Sequence, residues 1–251
     1  MSQSPDNSLN TIIFTCVTAS ICAVGLAVAA VALKPQQQEN VRVDKMKNIL
    51  KAFDVLEEAE KSGSIPTYFE SNVSGVVVNQ KGEVLEDAPP ANEIDYQAEF
   101  KRAAKEKGYE PMLPVFTLKK EGEIVAYTIP VMGKGLWSTL LGYMSFEDNL
   151  NVVRGLTFYS HAETPGLGAE IDAPWFQGNF KGKKILNASG DVVGITVVKG
   201  KAADVAKDEA QLSHMVDGIS GATITSNGVS DMITQDLSNY SGYFSTVREG
   251  K

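Results

Sequence analysis

An uncharged apolar segment near the N-terminus constrains this chain more than any other feature. Residues 11–33 contain no charged side chain, and 18 of these 23 residues are apolar. A helix of this length extends roughly 34 Å at about 1.5 Å per residue, just over the bilayer's hydrocarbon thickness of about 30 Å. The segment therefore predicts a transmembrane helix over residues 11–33, with the lipid bilayer as a partner and residues 1–10 as an N-terminal tail.

A cleaved signal peptide is the alternative interpretation of the same segment. Ala30-Val31-Ala32 has the A-x-A shape of a cleavage site. However, the apolar stretch is much longer than the h-region of about 7 to 15 residues found in signal peptides, and no Lys or Arg precedes it. We therefore expect the helix to be retained as an anchor.

Basic residues around the apolar segment bear on its orientation. Residues 1–10 contain no Lys or Arg, whereas basic residues follow the segment closely. They are Lys34, Arg42, Lys45, Lys47 and Lys51. By the positive-inside rule, this asymmetry places the large C-terminal part of the chain in the cytoplasm.

The composition of the chain excludes several classes of function. With 31 acidic and 23 basic residues, the formal charge is −8, which disfavours binding to the phosphate backbone of nucleic acid. Both cysteines, Cys16 and Cys22, lie in the apolar segment, so residues 34–251 offer no thiol for a disulfide or a metal. His161 and Glu163 alone make an incomplete zinc site, and we expect no metal.

Hydrophobic periodicity predicts an α+β fold for residues 34–251. Residues 35–40 form a polar linker, and an amphipathic helix follows from Val43 to Leu56. Short β-branched and aromatic runs then predict the strands of an antiparallel or mixed sheet. These runs cover residues 73–78, 115–118, 124–129, 141–146, 153–159 and 192–198. We therefore predict one domain with flanking helices on a membrane stalk.

Two further helices are expected near the C-terminal half of the chain. Val229 to Tyr240 have helical spacing, with Ser226 or Asn227 as the N-cap. Trp175-Phe176 follows Pro174 and predicts a helix start that packs into the core.

Three glycine-containing clusters are the strongest candidates for chemistry. They are GKGLW at residues 133–137, HAETPGLG at residues 161–168 and DGISGATITS at residues 217–226. None matches a dinucleotide fingerprint or a P-loop, so the chain itself is not expected to bind NADH. In the third cluster, small residues and hydroxyl groups precede a predicted helix, a combination that favours an anion at the helix N-terminus. A glycine-rich turn capped by hydroxyl groups is the structural alternative.

The third cluster resembles the D-G-x-[ST]-G-A-[ST]-x-[ST] signature of the FMN-binding domain family. In that family the last hydroxyl residue carries FMN through a phosphoester bond, and Thr225 occupies this position. The other two clusters resemble the family's remaining recurrent stretches and occur in the expected order. The resemblance therefore implies covalent FMN as the cofactor, with Thr225 as an attachment point that takes no catalytic part in turnover.

The resemblance also implies a set of residues around the cofactor. This set contains polar groups, glycines that let the backbone come close, apolar side chains that cover the ring and a cation for the phosphate. Its members are Ser220, Gly221, Ala222, Thr223, Glu163, Thr164, Gly166, Leu167, Gly168, Gly135, Leu136, Trp137 and Lys199. For Lys199 an ordinary surface position is the alternative, and for Trp175-Phe176 a wall of the flavin pocket is the alternative to core packing.

Within that family, the chain is most similar to the C subunits of sodium-translocating NADH:quinone oxidoreductases. The resemblance lies in the single N-terminal span, the stretch KNIL at residues 47–50 and the length of 251 residues. This resemblance implies an electron relay in a membrane complex that exports Na⁺, and the complex's other subunits as partners. It also implies a separate flavin transferase for maturation and a periplasmic flavin domain on the bacterial inner membrane. We follow it over the charge asymmetry, because long domains cross membranes regardless of nearby charge.

Two other interpretations stay open at the level of sequence. The G subunit of the Rnf-type ferredoxin:NAD oxidoreductase carries the same flavin signature. A membrane-tethered binding or assembly module without a cofactor would use the glycine-rich turns as protein contacts.

Overall fold

The chain divides by its internal contacts into two units, Met1–Asp44 and Lys45–Lys251. The structure is a computed structural model that describes the backbone of residues 6–250 and the side chains of residues 9–250. The first half of the predicted tail, residues 1–5, lies outside the described residues.

The described residues of the first unit belong to helix α1, which starts at Asp6 and ends at Ala52. Its apolar segment is exposed to solvent, with Phe14 at 72% and Val31 at 73% of their full accessibility. Among the described residues this is the one helix long and apolar enough to cross a membrane, and an 18-residue window within it has a mean hydropathy of 2.4. The length and composition of this helix suit a membrane anchor, because lipid is the environment that uncovered apolar side chains favour.

The predicted linker at residues 35–40 is wrong, because α1 continues through it. Pro35 removes only one backbone hydrogen bond, and the Gln and Glu residues that follow are good helix formers. The amphipathic helix expected to reach Leu56 ends earlier, at Ala52. Asp54 has a φ of 60°, a left-handed conformation that stops the helix, and Leu56 begins the next one.

Five antiparallel strands form the central sheet in the order β1-β2-β3-β4-β5. They are β1 (Val73–Val78), β2 (Leu113–Lys120), β3 (Glu123–Lys134), β4 (Thr139–Glu147) and β5 (Val153–Ser160). Each contains one of the first five predicted runs, so the α+β prediction with an antiparallel sheet is confirmed. The simple up-and-down order brings the end of β3 close to the start of β4.

A second, parallel pair of short strands joins β6 (Thr196–Val197) to β7 (Met215–Val216). The predicted strand over residues 192–198 is therefore mostly wrong, since only two of its residues are in a strand. Gly194 has a φ of +71° and interrupts the extended backbone, while Val192 makes an isolated bridge with Leu186.

The remaining helices surround the sheet. They are α2 (Leu56–Lys61), α3 (Ile65–Asn72), α4 (Tyr96–Ala103), α5 (Pro174–Gly178), α6 (Ala202–Val205), α7 (Glu209–Leu212), α8 (Thr223–Asn239) and α9 (Ser241–Glu249), with a 3₁₀ turn at Gly168–Asp172. As expected, α5 starts at Pro174 and buries Phe176 completely, whereas Trp175 is 48% exposed.

Both faces of the sheet are buried, which explains why β2 is apolar on successive residues. Leu113 and Val115 belong to the larger core, which includes α8 and α9. Phe116 and Leu118 point to the other face and join a smaller core with the end of α1, α2 and α3. The larger core supports the helix that follows the third glycine cluster.

Helix α8 begins at Thr223, three residues before the predicted N-cap. Its N-cap is Ala222, which has no side-chain hydrogen bond, so the expectation of Ser226 or Asn227 is wrong. The Ser226 hydroxyl instead accepts a bond of 3.4 Å from the Ile219 N–H in the preceding loop. As a result, Thr225 lies in the first turn of α8 rather than in the loop before it.

Candidate functional site

The start of α8 lies directly on the end of β3. A Cβ added at Gly228 would be 2.1 Å from the carbonyl oxygen of Lys134, and a Cβ at Gly133 would be 2.5 Å from the Cβ of Met232. Only glycine permits this approach of a helix to a strand. This close approach of α8 to β3 brings the first glycine cluster next to the third.

Glu163 joins the second cluster to the first. Its carboxylate is buried, at 5% exposure, and accepts three backbone hydrogen bonds. The donors are the N–H groups of Leu136 at 3.1 Å, Trp137 at 3.0 Å and Ser138 at 3.1 Å. The Ser138 hydroxyl donates a fourth bond of 3.2 Å. The tight turn after β3 therefore forms a cage of donors around one carboxylate.

The hydroxyl of Thr225 completes this cage from α8. It donates to Oε2 of Glu163 at 2.6 Å, and the Thr225 side chain is 1% exposed. Burial raises the pKa of Glu163, while the bonds from Thr225 and the three N–H groups lower it, and the net shift is downward. The buried carboxylate is therefore an anion at neutral pH, held against the hydroxyl by hydrogen bonds.

Two glycines admit the carboxylate and the hydroxyl to this small space. A Cβ at Gly135 would be 2.5 Å from Oε1 of Glu163. A Cβ at Gly168 would be 2.7 Å from Oγ1 of Thr225 and 2.8 Å from Oε2 of Glu163. Neither position has room for a methyl group while the contact is in place.

The loop of the second cluster covers the hydroxyl and reaches the third cluster. The Thr164 carbonyl accepts hydrogen bonds from the N–H groups of Leu167 and Ala169, both at 3.1 Å, which forms a tight turn. Gly166 in this turn has a φ of +74°. A Cβ at Gly221 would be 2.9 Å from Cδ2 of Leu167. All three clusters expected from the sequence are thus in contact.

The surface around Thr225 is unusually apolar for exposed residues. Four large side chains project into solvent there, namely Leu136 at 46%, Trp137 at 70%, Leu167 at 42% and Ile224 at 58% exposure. Ile224 precedes Thr225, and the other three belong to the segments that enclose the hydroxyl. Exposed apolar groups around a polar centre are typical of a ligand-binding surface.

The loop carrying Lys199 also lies against the third cluster. The Gly218 N–H donates to the Gly200 carbonyl at 2.9 Å, and the Asp217 carboxylate accepts from the Ala202 N–H at 2.7 Å. Lys199 itself is exposed. Its cationic side chain is therefore attached to a loop that the FMN-type motif holds in place.

The residues present fit a phosphate-linked flavin. The 17-residue helix α8 has neither a side-chain cap nor an acidic residue in its first turn, so its N–H groups and dipole favour an anion. Ser220, Gly221 and Thr223 are exposed at this end, and Ala222 is buried beneath it. Glycines at positions 135 and 168 provide close backbone approach, and the exposed apolar side chains suit an aromatic ring.

Sequence reasoning missed two polar groups, one in the site and one further along α8. Ser138 donates twice to Glu163, and the one signal in the sequence was a hydroxyl residue directly after the first cluster. Asp236, on α8, is buried and accepts hydrogen bonds from Tyr96 and from the Met132 N–H. The ring of His161 forms a hydrogen bond of 2.7 Å with the carboxylate of Asp172.

The fold and the site define the class of protein. Residues 135–238 match the sequence model of the FMN-binding domain, which covers the second and third clusters and residues 135–137 of the first. The chain is 31% identical to the Na(+)-translocating NADH-quinone reductase C subunit of Pseudomonas aeruginosa, over 98% of both chains. It is 33% identical to the C subunit of the same reductase from Pasteurella multocida, over 92% of this chain and 90% of that one. The chain thus belongs to the family of C subunits of the Na⁺-translocating NADH-quinone reductase.

Solved structures of the same family share the fold. The crystal structure of the C subunit from Parabacteroides distasonis is 35% identical and superposes with a TM-score of 0.68, covering 84% of this chain and 96% of that one. NqrC from Shewanella oneidensis is 26% identical with a TM-score of 0.66, covering 83% of this chain and 98% of that one.

Proposed function

We propose that this chain is an electron-relay subunit that carries FMN covalently, through a phosphoester bond to Thr225. The observation that carries the proposal is the position of the Thr225 hydroxyl in the uncapped first turn of α8, next to three converging glycine clusters. A phosphate ester at this position lies where the helix dipole favours negative charge.

The other residues hold and surround the cofactor in this proposal. Ser220, Gly221, Ala222 and Thr223 form the phosphate end of the site, with Lys199 as a nearby cation. Gly135, Gly166 and Gly168 let the backbone approach, and Thr164 and Glu163 are the polar groups beside them. Leu136, Trp137 and Leu167 cover an aromatic face of the ring. When bound, the flavin supplies reversible electron transfer, and noncovalent neighbours set its potential because the bond is at the phosphate.

The names of the relatives indicate the complex in which the subunit acts. The curated relatives are subunits of Na(+)-translocating NADH-quinone reductases. We place the chain in such a complex, where it passes electrons between other subunits while the complex oxidises NADH, reduces quinone and exports Na⁺. In this proposal α1 anchors the chain in the bacterial inner membrane, the flavin domain is periplasmic, and a separate transferase attaches the FMN.

In-gel fluorescence tests the covalent bond. The full chain is produced with the flavin transferase, denatured, separated on a gel and illuminated. We expect a fluorescent band for the unsubstituted chain and none for Thr225→Ala, because the ester oxygen is gone. Thr234→Ala is the matched control, since it removes an exposed hydroxyl on the same helix but outside the three clusters, and its band is expected to fluoresce.

A dark band for the unsubstituted chain made with the transferase would contradict the proposal and favour the cofactor-free binding module. Fluorescence that persists in Thr225→Ala would show that the flavin is bound to another residue.

Purification of the complex gives a second readout. We expect it to contain an NADH-oxidising subunit rather than the ferredoxin-accepting partners of an Rnf-type assembly.

A further inference from the structure

We propose that Glu163 is a catalytic residue for the attachment of the flavin, acting as the base that accepts the proton of the Thr225 hydroxyl. This inference rests on the proposed function, since it concerns the making of the Thr225 ester. It assigns to the acceptor chain itself a chemical role that would otherwise belong to the transferase alone.

The geometry of the hydroxyl is the first argument. Oγ1 of Thr225 donates to Oε2 of Glu163 at 2.6 Å, which is within the range of a charge-assisted O–H···O⁻ bond. A base must lie within hydrogen-bonding distance of the proton that it removes, and this carboxylate does. The hydrogen bond also fixes the χ1 rotation of Thr225, so the oxygen is oriented before the phosphorus arrives.

The charge of Glu163 is the second argument. Three backbone N–H groups and two hydroxyl groups donate to one buried carboxylate. Burial raises the pKa of Glu163, but the bonds from Thr225 and the three N–H groups hold it below the ordinary value. The group is therefore ionised and able to accept a proton. Within the described structure, no Lys, Arg or His side chain forms an ion pair with Glu163, so its proton-accepting oxygen is not neutralised by a cation.

The anchoring of Glu163 is the third argument. Thr225 is 1% exposed, and Gly168 lies over its hydroxyl, so the loop at residues 164–168 has to move before a phosphate reaches the oxygen. The carboxylate is tied instead to the turn at residues 136–138, between β3 and β4. The pair of Glu163 and Thr225 can therefore persist while the covering loop opens.

The reaction balances with a flavin adenine dinucleotide as the donor. A bond forms between Oγ1 of Thr225 and the phosphorus on the flavin side of the pyrophosphate. The pyrophosphate P–O bond breaks, and AMP leaves with its electron pair. The proton of the hydroxyl moves to Oε2 of Glu163, and nothing is oxidised or reduced. Protein kinases use an aspartate in the corresponding role toward a substrate hydroxyl.

Transfer kinetics on the full chain test this role. The unmodified subunit is purified in detergent from cells that lack the transferase and is then incubated with purified transferase, Mg²⁺ and flavin adenine dinucleotide. The measured quantity is the initial rate of fluorescence appearing in the denatured band, at several concentrations of the subunit. We expect Glu163→Gln to lower kcat about 100-fold, as for a lost general base, with KM for the subunit unchanged.

Two further variants separate chemistry from structure. Glu170→Gln makes the same change in the adjacent 3₁₀ turn, where the carboxylate accepts a bond from the Trp175 indole, and it is expected to leave the rate within about twofold of the unsubstituted chain. Glu163→Ala is expected to be slow and to regain rate with increasing formate, which replaces the missing carboxylate. Urea unfolding of each variant establishes that it is folded.

The outcomes separate this inference from the proposed function. An unsubstituted chain that is never labelled would overturn both proposals. Labelling of the unsubstituted chain at Thr225 together with an equally fast Glu163→Gln would overturn only the role of Glu163. A folded Glu163→Ala that formate does not accelerate, or a Glu163→Gln that changes KM alone, would also overturn that role.

Discussion

At the scale of single residues, Asp236 is a buried carboxyl group that joins three elements. From α8 it accepts hydrogen bonds of 2.6 Å from the Tyr96 hydroxyl on α4 and of 2.6 Å from the Met132 N–H on β3. Burial raises the pKa of Asp236 to about 7, although the bonds from Tyr96, Met132 and Asn239 act in the opposite direction. The folded protein therefore holds this group protonated at pH values where the unfolded chain has lost the proton.

This difference predicts a pH dependence of stability. As the pH rises from about 4 to about 7, the unfolded state releases the proton first, so this group's contribution to the free energy of unfolding falls by up to about 1.4 kcal/mol per pH unit. Asp236→Asn does not titrate. We therefore expect the stability of the unsubstituted chain, measured relative to Asp236→Asn by urea unfolding, to decline over this range and then level off.

Asp231→Asn is the matched control, because Asp231 is an exposed residue on the same helix. Its stability relative to the unsubstituted chain is measured over the same pH range as a reference for a surface carboxyl group. A gap between Asp236→Asn and the unsubstituted chain that does not change between about pH 4 and pH 7 would contradict the prediction.

The sequence reveals Glu163 as a polar residue of a motif but not what it does. Its partners are backbone N–H groups of residues 136–138, more than twenty positions earlier, and no pattern of side chains encodes such donors. Likewise, Asp236 looks like an ordinary polar position of α8, because its partners Tyr96 and Met132 come from distant elements. Long-range contacts of single residues follow from the tertiary fold.

At the scale of elements, the contact between α8 and β3 depends on two glycines. A Cβ at Gly228 would meet a backbone carbonyl oxygen at 2.1 Å, and backbone has little freedom to move away. We expect Gly228→Ala to separate the helix from the strand and to lower the free energy of unfolding by about 1–3 kcal/mol. The shift also displaces Thr225 from Glu163, so in-gel flavin fluorescence is expected to fall.

Gly178→Ala is the matched control for this substitution. Gly178 is the last residue of α5, and a Cβ there meets nothing within 4 Å. Alanine at this position is expected to leave stability within about 1 kcal/mol of the unsubstituted chain or slightly above it, and to leave fluorescence unchanged. Equal effects of the two substitutions would show that close packing is not the cause.

Elements were predictable where local chemistry decides them. The runs at residues 73–78 and 153–159 contain β-branched and aromatic residues and form strands β1 and β5. The start of α8 was not predictable in this way, because Ala222 is a poor N-cap and Ser226 looks like a better one. The loop contact of Ser226 with Ile219 overrides that local preference.

At the scale of the whole molecule, the charge distribution and the proposed function predict opposite sides of the membrane for the domain. The basic residues after the apolar segment favour the cytoplasm, whereas the proposed function requires the periplasm. Asp87 is exposed in the loop after β1 and suits a labelling site. We expect Asp87→Cys, in a chain with Cys16→Ala and Cys22→Ala, to react with a membrane-impermeant maleimide in intact cells.

The same chain without Asp87→Cys controls for background labelling. Permeabilised cells give the full extent of reaction, against which intact cells are compared. Reaction of Asp87→Cys in permeabilised cells only would place the domain in the cytoplasm and contradict the periplasmic assignment.

The burial of Thr225 has a consequence for selectivity among modifying enzymes. Protein kinases take their acceptor from an exposed, extended segment, whereas this hydroxyl lies in a helical turn at 1% exposure. An enzyme that requires an exposed, extended acceptor therefore does not reach this hydroxyl in the folded chain. In the proposed function, the transferase therefore has to recognise the folded surface around Thr225 rather than a short linear peptide.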